Sequence, residues 1–266
     1  MDHQAVLTAY DRQIRRGAQA DSPGARVERD GGVVRQTGAA HDWNGVHWAD
    51  IDEATADAVI AEQVRHFTSL GRDFEWKLHS HDRPADLADR LRAAGFVPEP
   101  PETVMVAEVA DLSTEPELPA GVSLLPVTDA SGVRLMADAH NVAFGEDSAA
   151  LGERLAQRVL TQLTEAPDTI VAVVAMAGDV PVSSARMEFS PGTDFAGLWG
   201  GGTAPQWRGK GIYRALVAYR TRIAAARGYR YLQVDASDDS RPILRRLGFA
   251  PLSVTTPYVY APQAQI

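Results

Sequence analysis

Apolar residues recur along this chain with two distinct periods. Ile212, Leu216, Tyr219, Ile223 and Ala226 fall three or four apart, the spacing of one buried helical face, and predict a helix ending near Gly228. Before it, an apolar and glycine-rich run, Ala196 to Thr203, predicts a strand. Further upstream the order reads strand (Val122 to Val127), helix (Gly132 to Phe144), helix (Ala149 to Leu163) and strand (Ile170 to Met176). A turn at Ala177-Gly178-Asp179 then leads into a hairpin partner, Val180 to Glu188. After the long helix come a strand to Asp235, a short helix, and a last strand near Ser253 to Tyr260. The pattern predicts an α+β layout, a mixed and mostly antiparallel sheet with helices on both faces.

Strand and long helix meet at Gln206-Trp207-Arg208-Gly209-Lys210-Gly211. Two glycines let the backbone turn tightly, where a helix leaves its first N–H donors unpaired. The partial positive charge of that helix end favours a phosphate-bearing ligand. The charge distribution agrees. The chain is acidic, with 26 Lys and Arg against 35 Asp and Glu and a formal net charge of −9. Yet Phe195 to Val234 contains no Asp or Glu, while it holds Arg208, Lys210, Arg214, Arg220, Arg222, Arg227 and Arg230. A small polyanion suits this local inversion; bulk nucleic acid would be repelled by the rest of the surface.

Two familiar phosphate loops do not fit. A Walker A loop needs Ser or Thr after Gly-Lys, where this chain has Gly211; a Rossmann fingerprint needs a third glycine, where it has Arg214. The stretch from Gly202 to Leu216, with Leu247-Gly248-Phe249 downstream, instead closely resembles the Gln/Arg-x-x-Gly-x-Gly/Ala loop of the GNAT superfamily of acyl-CoA-dependent N-acetyltransferases. The resemblance implies acetyl-CoA as co-substrate, with no metal, and transfer to an amine by direct attack in a ternary complex. The backbone from Arg208 through Gly209, Lys210, Gly211 and Ile212 to Tyr213 would hold the diphosphate. Gly201, Gly202 and Thr203 would place the thioester, and Ser240 would touch the cofactor from the last helix.

The other half of the chain ends in the same way. Arg241-Pro242 and Leu247-Gly248-Phe249-Ala250-Pro251 echo Arg83-Pro84 and Ala94-Gly95-Phe96-Val97-Pro98, each after a strand, the earlier one Phe74 to Leu78. This predicts an internal duplication: two tandem GNAT-like domains, at 1–112 and 122–266, joined by a polar, proline-bearing linker at 113–121. In the first half the glycine loop is replaced by Glu53-Ala54-Thr55-Ala56-Asp57-Ala58, whose acids would repel a diphosphate. They suit the start of a helix running to about Phe67, with Ala56, Ile60, Val64 and Phe67 on its buried face. The expectation is a first half that keeps the shape without the cofactor.

Transfer needs a proton acceptor for the amine and a donor for the leaving thiolate. The acid-free window excludes a carboxylate on the strand before the loop. Glu188 on the neighbouring strand and Asp235 at the end of the following one are the candidate bases, set against plain structural roles as a paired strand-end acid and a turn acid. Relatives usually carry Tyr four residues before Gly-Phe, where this chain has Leu244; Tyr258, Tyr260 and Tyr213 are the hydroxyls available instead. Trp199 is placed where an acceptor could stack. Weak catalysis would leave a CoA-binding sensor or interaction module as the alternative.

Other features narrow the field. The chain has no cysteine, which excludes disulfides, thiolate nucleophiles and Cys-based metal sites. The longest apolar run, Ile170 to Ala177, is too short to span a bilayer, and Asp2-His3-Gln4 opens a polar amphipathic helix rather than a signal segment. The cytoplasm is the expected compartment, a small-molecule or peptide amine the expected partner, and the oligomeric state is left open. His79-Ser80-His81-Asp82 has a chelating spacing, but turn histidines before a helix explain it as well. His140 is the one histidine of the second half, and a buried or rim role suits it.

Overall fold

The structure is a computed structural model describing residues 1–145 and 149–262. Seven α-helices and twelve strands occur among the described residues. In chain order the first are α1 (His3–Tyr10), β1 (Arg26–Asp30), β2 (Val33–Thr37), β3 (Gly45–Ala49), α2 (Ala56–Ser69), β4 (Phe74–His79), α3 (Leu87–Ala93), β5 (Val97–Pro98) and β6 (Glu102–Glu108). There follow β7 (Val122–Val127), α4 (Ala130–Phe144), α5 (Ala149–Glu165), β8 (Ile170–Ala177), β9 (Val180–Phe189) and β10 (Phe195–Thr203). The last are α6 (Ile212–Ala226), β11 (Tyr231–Ala236), α7 (Arg241–Arg246) and β12 (Ala250–Tyr260). No helix among the described residues is long and apolar enough to cross a membrane.

These elements form two compact units. The first comprises Met1–Val104 together with Asp235–Arg241 and Pro251–Ile266; the second comprises Met105–Val234 and Pro242–Ala250. The expected single break at 113–121 does not describe this division, because the last strand belongs to the first unit. Thr255 to Tyr260 of β12 pair antiparallel with His79 to Phe74 of β4. The chain passes from one unit to the other within β6 and within β11.

In the first unit the strands lie in the order β1-β2-β3-β4-β12, with β5 also on β12. β3 and β4 are parallel, and the other registered pairs are antiparallel. Strand alternation sends Phe74 and Trp76 into a core with Ile60, Phe67, Leu91 and Phe96, where the Phe67 and Phe74 rings stack 4.2 Å apart. The same alternation puts Glu75 and Lys77 on the opposite face. Of the predicted face of α2, Ala56, Ile60 and Phe67 are fully buried and Val64 partly so. Arg83-Pro84 precedes α3.

The second unit orders its strands β11-β10-β9-β8-β7, parallel only between β10 and β11. Along β8, Ile170, Ala172 and Val174 pack with Val133, Met136 and Val159 of α4 and α5. Val173 and Ala175 face the other way, against Ile212 and Leu216 of α6. That helix is buried over more than the predicted stripe: Ala215, Val217, Ala218 and Ala224 are buried as well, whereas Ala226 is exposed.

Candidate active site

The glycine-rich end of β10 is irregular in a defined way. Trp199 opposes Arg186 on β9 while Gly202 opposes Ser184, so three steps on β10 match two on β9, and the strand bulges. Gly200 takes the extra residue's strain with φ +62°. The parallel register with β11 covers only Phe195, Ala196 and Gly197. Beyond Gly197 no registered pair joins the two strands among the described residues. Bulk is excluded on both sides of β10 there. A Cβ at Gly201 would lie 2.7 Å from Cε2 of Tyr213, and one at Gly202 would lie 2.5 Å from Cε2 of Phe144.

The chain then turns into α6. Gly209 and Gly211 have φ +74° and +86°, so both tight corners require glycine-like backbone. Gly211 occupies the N-cap and has no side chain to offer the helix. Ala215 donates to the Gly211 carbonyl, so the N–H groups before Ala215 have no earlier helical carbonyl to meet. A helix of 15 residues ends here with its positive pole open. A Cβ on Gly209 would meet nothing within 4 Å, so the corner faces open space.

The basic side chains are less available than their charges suggest. Arg208 donates from Nε to the Thr203 carbonyl at 3.0 Å and from Nη2 to the Ala143 carbonyl at 3.0 Å. It fastens the loop to β10 and to the end of α4. Lys210 lies over the Trp207 ring, 4.5 Å from its centre. Ser183 Oγ donates to the Gly202 carbonyl at 2.6 Å and shares a hydrogen bond with Thr203 Oγ1 at 2.9 Å.

On the α4 side of the sheet, Arg186 Nε donates to Glu188 Oε1 at 2.9 Å, and Arg158 Nη2 reaches Glu188 Oε2 at 3.4 Å. His140, buried on α4, has Nε2 sealed from solvent without a hydrogen-bond partner. Its ring tilts against Phe144, 4.7 Å away, the same ring that covers Gly202. Burial, then the nearby Arg186 charge, lower its pKa, so the imidazole is neutral at pH 7. Gln233, opposite Gly197 in the register of β10 and β11, is also buried with Oε1 unpaired.

The profile of the acetyltransferase (GNAT) family matches residues 135–249. That stretch, which lies within the second half of the chain, is thus similar to the GNAT acetyltransferase family. Solved structures agree in fold. A GCN5-related N-acetyltransferase from Kribbella flavida is 20% identical with a TM-score of 0.68, covering 99% of this chain and 95% of that one. A functionally unknown conserved protein from Staphylococcus epidermidis is 13% identical with a TM-score of 0.67, covering 92% and 96%. A tandem GNAT protein from the clavulanic acid biosynthesis pathway is 13% identical with a TM-score of 0.59, covering 97% and 93%. Curated proteins gave no match.

The loop residues expected from the sequence fall together: Gly201, Gly202, Thr203, Arg208, Gly209, Lys210, Gly211, Ile212 and Tyr213 all belong to the second unit. Ser240 belongs to the first, where its Oγ lies 3.3 Å from that of Ser237. The candidate acid–base residues are engaged elsewhere. Burial alone would raise the Glu188 carboxyl, but Arg158 and Arg186 hold it below the usual carboxylate range, which makes it a poor base. Asp235 is an ion partner of Lys77, its side chain 2% exposed. Tyr258 is a core residue of the first unit with Arg92 over its ring. Tyr213 packs on Gly201, and burial raises its phenol. Leu244 is fully buried, a packing residue.

In the first unit an acid occupies the turn that leads into α2. Asp52 Oδ1 accepts from the N–H groups of Ala54 and Thr55 at 3.1 and 2.9 Å and from Thr55 Oγ1 at 2.7 Å. The histidine cluster serves docking of the N-terminal helix. His81 Nε2 hydrogen-bonds Asp11 at 3.0 Å, and Arg15 holds Asp82 with two hydrogen bonds of 2.7 and 2.8 Å. Sequence reasoning passed over the unpaired atoms of His140 and Gln233, since a missing partner leaves no mark in a single sequence.

Proposed function

We propose that the second unit binds acetyl-CoA at the open N-terminus of α6 and transfers its acetyl group to a primary amine of a small molecule or peptide. The observation that carries this reading is the pair of positive-φ glycines, Gly209 and Gly211, feeding a side-chain-free N-cap in an acid-free stretch. Backbone donors from Gly209 to Tyr213 suit a diphosphate, and the Cβ-free corner leaves room for it. When bound, the co-substrate supplies an acetyl group activated as a thioester. The bulge at Gly200, just past the end of the register with β11, turns main-chain dipoles out of the regular ladder, which suits a developing oxyanion.

His140 is our assignment for the proton of the attacking amine. Among the groups on the α4 face, Glu188 is neutralised by Arg158 and Arg186, while the imidazole is uncharged and keeps an unpaired ring nitrogen. Thiol release from acetyl-CoA, followed across a panel of primary amines, tests the reading. At least one amine should accelerate release above the buffer rate. His140→Gln should lower kcat by about 100-fold with acetyl-CoA affinity unchanged. Release that no amine accelerates would remove the transferase reading for this site.

A further inference from the structure

The face of the first unit's sheet opposite its apolar core holds charged groups that acetyl transfer does not use. Glu75 and Lys77 come from β4, Glu102 from β6 and Asp235 from the end of β11. Lys77 is paired with Asp235 through Oδ2, and Trp43 Nε1 donates to Glu75 Oε2 at 2.8 Å. Three carboxylates thus share one ammonium. The neighbouring His47 adds no charge, because burial and the fields of Lys77, Arg15 and Arg29 push its imidazole down to about 3. Arg15 is held by Asp11 and Asp82, and Arg29 by the Arg16 and Ala18 carbonyls.

The deficit of positive charge leaves a trace on each acid. Asp235 keeps Oδ1 sealed from solvent with no hydrogen-bond partner. Glu75 is raised by burial, against the pull of Lys77. Glu102, half-buried, is pushed up to about 7, by burial first and then by Asp235, with Glu75 and Glu99 adding to it and Lys77 opposing. A buried carboxylate oxygen without a donor costs free energy that a cation would recover. No three acids or histidines among the described residues are grouped to hold one metal ion. A larger cation with several N–H donors fits such dispersed oxygens better.

We propose that this cluster is a binding site for the protonated primary amine of a small ligand, whose ammonium donates to Asp235 Oδ1 while Glu102 and Glu75 supply the remaining negative charge. Such a ligand is either an acceptor of the acetyl group or an amine effector. Binding itself needs no acetyl-CoA, so this site and the transferase reading can fail separately.

Titration of putrescine into the full chain without acetyl-CoA, by calorimetry at pH 7 in two buffers of different ionisation enthalpy, tests the site. Saturable binding should release a fraction of a proton, as the incoming ammonium drives Glu102 to ionise. Affinity should rise from pH 6 to pH 8 as Glu102 loses its proton. Glu102→Gln should abolish both the proton release and this pH trend, and Asp235→Asn should weaken binding at least about tenfold. Circular dichroism on each variant checks the fold, and the half-buried Glu102 keeps the test open if Asp235→Asn unfolds. Adding acetyl-CoA then sorts the ligand: acetylated amine marks an acceptor, unchanged amine an effector, and either result supports the site. Absence of saturable binding for putrescine, spermidine and phenethylamine, or binding that neither variant alters, would overturn it.

Discussion

Gly211→Asp is expected to weaken acetyl-CoA binding at least about 100-fold, near 2.8 kcal/mol, while the protein stays folded. The first unit shows why. There Asp52 turns its carboxylate onto the N–H groups of Ala54 and Thr55 in the turn that leads into α2, so an acid already occupies the approach to that helix. At Gly211 the same substitution puts a carboxylate onto the donors of α6 and a negative charge where the diphosphate belongs. Aspartate is a good N-cap and tolerates the left-handed φ of +86° better than most residues, so the helix itself survives. The measurement is acetyl-CoA affinity by calorimetry, with circular dichroism as the control. Retained affinity in a folded variant would mean that the loop amides do not carry the diphosphate.

Lys77→Met is expected to destabilise the first unit by about 3–5 kcal/mol, the usual cost of stranding one member of a buried ion pair. Burial would lower the Lys77 ammonium, yet Asp235 and Glu75 hold it well above its ordinary value. Removing it leaves Asp235, 2% exposed, with no cation and with Oδ1 already unpaired. A buried carboxylate without its cation is relieved by binding a proton, so the loss should shrink at low pH and grow as pH rises. Urea unfolding at pH 5 and pH 8, followed by the fluorescence of Trp76 in that unit's core, reads the effect. The double variant Lys77→Met/Asp235→Asn should recover most of the loss. A single variant as stable as the parent at pH 8 would show that the pair contributes nothing.

The contrast between these two sites explains what could be read from the sequence. The loop at Gly209 and Gly211 is local: its backbone demands, its charge and the helix it starts lie within a short stretch, so the letters carry the geometry. The same holds for Asp52 and for the strand-helix-helix-strand order of the second half. The acids are a different matter. Glu188 is held by Arg158, 30 positions away, and Asp235 by Lys77, 158 positions away. Those distances in sequence conceal which carboxylates are already neutralised, and Glu188 and Asp235 as bases fell to that. β12 was misplaced for a related reason. Its alternation signals a strand, but nothing in Thr255 to Tyr260 says that β4 is its partner. The first half's strands β1 and β2 are short and flank polar turns, and they left no periodic signal strong enough to read.

Amide hydrogen exchange with and without CoA tests the central claim most directly. Binding should slow exchange at Gly209 to Tyr213, the amides that open α6, and leave Ala54 to Ala58 of the first unit unchanged. Protection at Ala54 to Ala58 instead, or saturating CoA with no change from Gly209 to Tyr213, would contradict it.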